Sequence, residues 1–160
     1  MLAAHPADGF LQALAAEVEA VQQFVDLLKI EQTALTQGST DMLPDLAERK
    51  GKLAVQLGRI TAQRNAALAT QGLPADRAGV AAWCAKHPSD QKAAKAWALI
   101  LALAAEASEL IRLSGELIRI RMQYNSKALE ALRSGNSSLD LYGPDGQSTA
   151  AGSRRINDAA

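Results

Sequence analysis

From Asp8 onward, apolar residues recur at spacings of three and four: Leu11, Leu14, Val18, Val21, Val25, Leu28 and Leu35, interrupted by the polar Gln32. That period puts them on one side of a helix and forms a coiled-coil-like seam. A first long helix is therefore predicted, with Asp8 as its N-cap and Gly38 as its C-terminal stop. Thr40 or Asp41 is then expected to cap a second helix, with Pro44 tolerated in its first turn. Its seam reads Leu43, Leu46, Lys50, Leu53, Leu57, Ile60, Arg64 and Leu68. Lys50 and Arg64 stand where hydrophobes belong, and the expectation is that their stems follow the seam while their charges reach water. Gly72, Pro74 and Asp76 break the pattern. A short helix is predicted from Arg77 to Lys86, ended by His87-Pro88 because the residue before proline avoids the helical region. Ser89 or Asp90 should start the longest helix, running to about Arg133 before Gly135.

The second half of that last helix carries more apolar surface than one seam needs. Leu110, Leu113, Leu117, Ile120, Tyr124 and Ala131 lie on one side, while Ile111, Ile118, Met122 and Leu129 form a separate line. Up to Leu117 both lines are expected to pack within the bundle. Around Met122 to Leu132 the last helix outlasts its shorter partners, so an exposed or groove-forming surface is expected there. From Ser134 the composition turns to Gly, Asn, Ser, Asp and Thr, too polar to fold alone. The expected architecture is all-α: an elongated antiparallel bundle of three long helices plus one short helix over residues 1–133, with a flexible low-complexity tail over 134–160.

Composition agrees with helices. Of the 160 residues, 48% are hydrophobic but only 4% aromatic, and strands favour the aromatic and β-branched residues that are scarce here. Seventeen Lys and Arg balance seventeen Asp and Glu, and without a basic run nucleic-acid binding is not expected. The lone Cys84 forms no internal disulfide, which suits a reducing compartment. Residues 1–10 lack the basic and apolar regions of a signal peptide. The longest apolar run, AWALILALAA at 96–105, is shorter than the roughly 17–25 residues a membrane span requires. A cytoplasmic protein is expected, with no membrane insertion.

Catalytic motifs are absent. There is no G-x-G-x-x-G, no P-loop and no G-x-S-x-G, and neither histidine has the preceding glutamate of a di-iron Glu-x-x-His motif. Cys84 and His87 share a helical face, but two ligands make no structural zinc site. As a nucleophile and base they would need an orienting third group. No enzyme activity, metal or cofactor is expected, and Cys84 is read as a packing residue. Trp83 and Trp97 are expected to staple the short helix to the bundle.

Five segments together resemble one family. They are LLKIEQTAL at 27–35, AERKGKL at 47–53, SGELI at 114–118, NSKALEAL at 125–132 and LYGPDGQS at 141–148. In this order they resemble the FlgN family of flagellar type III export chaperones, over nearly the whole chain. One departure is Ser114-Gly115, where members usually carry Asn-Gly. The resemblance implies a cytoplasmic chaperone for the hook–filament junction proteins FlgK and FlgL. It would bind their C-terminal helical region with its own C-terminal part, prevent premature assembly, and deliver them to the cytoplasmic domain of the export gate FlhA. The cargo-binding residues implied here are Ile118, Met122, Asn125, Leu129 and Leu132. Gate docking falls to Leu141, Tyr142, Gly143 and Gly146. The alternative reading is a structural or adaptor coiled coil that dimerises through the same stripe. Weak self-association is compatible with either.

Overall fold

The computed structural model describes residues 6–139, and every regular element among them is helical. The order is α1 (Pro6–Gln37), a single 3₁₀ turn (Thr40–Met42), α2 (Leu43–Thr70), α3 (Arg77–Lys86) and α4 (Gln91–Leu139). The fold is all-α, with three long helices and one short one. No helix among the described residues is long and apolar enough to cross a membrane. The chain divides into two units, residues 1–118 and 119–160, and α4 starts in the first and ends in the second.

Local chemistry explains the ends of these helices. Gly38 and Gly72 adopt φ of 81° and 69°, a left-handed conformation that only glycine takes without strain. After Gly38, the Ser39 amide donates to the carbonyl of Ala34 at 2.9 Å. After Gly72, the Leu73 amide reaches Leu68 O at 3.1 Å, and Leu73 joins Leu68 in the core. Both are Schellman-type closures that satisfy otherwise orphaned carbonyls. Asp76 caps α3 by accepting from the Gly79 amide, and Asp90 accepts from the Ala93 amide at the start of α4, each at 3.2 Å.

Three ends differ from expectation. α1 begins at Pro6 rather than after Asp8, since proline suits the first helical turn and an acid inside that turn still favours the helix dipole. Neither Thr40 nor Asp41 caps α2; both lie in the 3₁₀ turn, and Met42 occupies the cap position without a side-chain hydrogen bond. α4 runs past Arg133 and through Gly135 to Leu139, because an exposed glycine costs a helix only about 1 kcal/mol.

In the first unit, α1 and α2 run antiparallel. Glu17 meets Arg64 and Glu31 meets Lys50, so both helices are matched at points two heptads apart. α4 runs alongside α1 in the same direction: Lys29 pairs with Glu106 at 2.7 Å, and Val25 and Leu28 pack with Leu103, Ala107 and Leu110. At one end Phe10, Leu14, Leu68, Val80, Trp83 and Ile100 form the largest core, joining all four helices. Trp83 is fully buried with its ring 4.6 Å from Phe10, and its indole N–H donates to Gln71. Trp83 thus fastens α3 as expected. Trp97 is half-buried, packs against the same core, and also meets the Arg64 guanidinium with its ring.

The seam cations are corrected by this packing. Arg64 does not send its charge to water: it is buried, ion-paired with Glu17. Lys50 is likewise partly buried and held by Glu31. A cation at a seam position can stay there because a neighbouring helix supplies a carboxylate.

Candidate functional site

In the second unit, α4 carries large apolar side chains that stand exposed among the described residues. Met122 is 67% exposed, Leu129 62% and Leu132 71%, and Ile120 and Tyr124 are exposed too. Asn125 is also exposed, between Met122 and Leu129. The helical period puts Met122, Asn125, Leu129 and Leu132 along one side. Ile118, the last residue of the first unit, is exposed as well.

The first unit presents a smaller apolar feature of its own. Ile111 and Ile118 edge a pocket of about 250 Å³ between α1, α2 and α4, with Leu28 on one wall and the Glu31–Lys50 pair beside it. Ser114 and Gly115 complete the lining. The Ser114 hydroxyl oxygen is buried and makes no hydrogen bond, and a Cβ on Gly115 would meet nothing within 4 Å. Ile111 was expected to pack inside the bundle, yet it is 53% exposed. Its neighbour Leu110 already fills the place against α1, and only one of the two adjacent residues can point there. The spacing that linked Ile111 to Ile118, Met122 and Leu129 was visible in the sequence; the unpartnered hydroxyl was not.

Cys84 and His87 do not form a reactive pair. His87 stacks on Trp83, ring centroids 4.1 Å apart, and its Nδ1 donates to the Trp83 carbonyl at 2.9 Å. Cys84 packs against the core, and burial, with help from the Asp90 carboxylate, pushes its thiol pKa up. A raised pKa leaves less thiolate, the opposite of what a nucleophile needs. Both residues serve the seating of α3.

Leu141, Tyr142, Gly143 and Gly146 lie outside the described residues. A family model described as "FlgN protein" matches residues 6–150. No curated protein and no solved structure matches the chain.

Proposed function

The chain belongs to the FlgN family, a family of flagellar export chaperones, and from that premise we propose that its cargo is the C-terminal helical region of the hook–filament junction proteins FlgK and FlgL. The exposed side chains of Met122, Leu129 and Leu132 carry this reading. Three large apolar side chains on one side of a helix match the way an amphipathic partner helix is held, with its own apolar face laid against them. Asn125, exposed on the same side, extends the contact. Holding the cargo in this way keeps its assembly surface covered in the cytoplasm, and release needs only a competing site that binds more tightly.

Residues 1–133 act as the helical body in this proposal, and residues 134–160 address the cytoplasmic domain of FlhA through Leu141, Tyr142, Gly143 and Gly146. A tyrosine offers a large contact area with little rotamer freedom to lose, which suits it to be the anchor. The experiment is a pull-down with FlgK, FlgL and, separately, the cytoplasmic domain of FlhA, comparing the full chain with a chain ending at Ser134 and with Tyr142→Ala. Both variants should keep cargo and lose FlhA. Loss of cargo from Tyr142→Ala would merge the two surfaces and overturn the division of roles.

A further inference from the structure

The apolar side of α4 in the second unit is bordered by cations. Residues 119–139 carry Arg119, Arg121, Lys127 and Arg133 against a single acid, Glu130, a net charge of +3 in a chain whose total is zero. With Met122 taken as the origin and about 100° per residue, Leu129 falls near −20° and Leu132 near −80°. On the same wheel Arg121 lies at about −100°, along one border, and Arg133 at about 20°, along the other; farther round that side Arg119, at about 60°, stands beside the single acid Glu130, at about 80°. Arg133 is exposed and Arg121 partly so.

Resting on the cargo-holding reading above, we propose that the partner seated on Met122, Leu129 and Leu132 is an amphipathic helix whose apolar face is bordered on both sides by carboxylates. Charge complementarity selects this occupant. A second copy of the chain would bring one +3 segment against another, and like charges set face to face oppose association. A bilayer is matched less well. Helices that lie in a membrane surface keep one broad apolar face and a polar back, whereas Ile120 and Tyr124 stand exposed on the side opposite Met122. Carboxylates on the partner's borders would meet Arg121 on one side and Arg133 on the other. That arrangement sets the partner's orientation and speeds encounter as well as adding affinity.

The test uses the full chain and three synthetic helical peptides with one common apolar face, whose border positions are all glutamate, all glutamine or all lysine. Anisotropy titrations should show the glutamate peptide binding about tenfold more tightly than the glutamine peptide at low salt. That gap should narrow as added salt screens the borders. Arg121→Gln combined with Arg133→Gln should remove the gap while circular dichroism stays unchanged. Equal affinities, no binding by any peptide, preference for lysine, or a gap that survives the double substitution would each overturn the proposal. So would binding to phosphatidylglycerol vesicles without discrimination among the peptides, which would assign the cations to lipid. Capture of FlgK and FlgL is scored separately. Cargo held without peptide discrimination removes only the charge rule; peptide discrimination without cargo capture removes only the cargo assignment.

Discussion

Arg64 on α2 places Nη1 2.7 Å from both carboxylate oxygens of Glu17 on α1, and the two side chains are only 6% and 7% exposed. The pair is not left to itself. Arg64 also donates from Nε and Nη2 to the Asn65 side-chain carbonyl, Thr61 donates to Glu17, and the Trp97 ring lies 5.1 Å from the guanidinium carbon. Burying two charges costs several kcal/mol for each, offset only when the pairing geometry is good and the remaining hydrogen-bonding groups are satisfied. Here they are. The Glu31–Lys50 pair repeats the contact two heptads along the same two helices, so sliding α2 on α1 separates both pairs at once.

Removing one partner should therefore cost far more than removing both. Glu17→Leu alone is expected to destabilise the fold by about 3–5 kcal/mol, since it strands a buried guanidinium. Glu17→Leu with Arg64→Met should recover most of that loss. Urea denaturation of the two single variants and the double completes the cycle, and additive losses would mean that the pair is not coupled.

Two glycines should respond to alanine with opposite signs. A Cβ on Gly79 would sit 1.7 Å from the Pro74 carbonyl oxygen and 3.2 Å from Leu68 Cδ1, so the start of α3 would have to move. Gly79→Ala is expected to lower stability by about 1–3 kcal/mol, the usual cost of overpacking. Gly51 stands exposed in the middle of α2 with nothing within 4 Å of a new Cβ. Gly51→Ala should raise stability by about 0.5–1 kcal/mol, because glycine loses more freedom on entering a helix. Thermal melts of the two variants read the difference directly.

Met122→Ser with Leu129→Ser should separate binding from folding. Both side chains are exposed, so each change should alter stability by no more than about 0.5 kcal/mol. Affinity for FlgK should fall about tenfold or more, as expected when apolar anchors are cut from an interface. Isothermal titration beside a thermal melt tests both halves, and unchanged affinity would move the cargo site elsewhere.

Cys84 should react sluggishly with thiol reagents. Burial raises its pKa above the ordinary thiol value, so at neutral pH less thiolate is present than in a free cysteine. The folded state holds this proton more tightly than the unfolded state does. The stabilising contribution is thus fully present below the unfolded thiol pKa and is lost as the pH rises through the folded one. Labelling rates measured against a model thiol from pH 7 to 10 check the direction. A rate at or above the model thiol's would restore Cys84 as a candidate nucleophile.

The candidate site was only partly legible. The helical period alone separated the Ile118, Met122 and Leu129 line from the one through Leu110, and the short neighbouring helices suggested that its far part would lie bare. Ile111 was misplaced because period says which residues share a side, but not how many sides a neighbour will cover. The burial of Glu17 is not legible in the sequence for a related reason. It sits three residues after Leu14, on the seam side of α1 beside Val18, but the period does not show that a carboxylate there has a partner; the buried Arg64 on α2 supplies it.

What the sequence by itself determined is whatever depends on near neighbours along the chain. The apolar period, the left-handed turns at Gly38 and Gly72, the Asp76 cap and the break at His87-Pro88 are local steric and hydrogen-bonding preferences, and α3 occupies Arg77–Lys86 as they require. Tertiary structure alone decided which charges found partners and which apolar residues found cover. Lys50 and Arg64 were visible misfits, but their carboxylates come from α1, 19 and 47 residues away. Coulomb attraction and burial act through space, so they are settled only when separate helices are brought side by side.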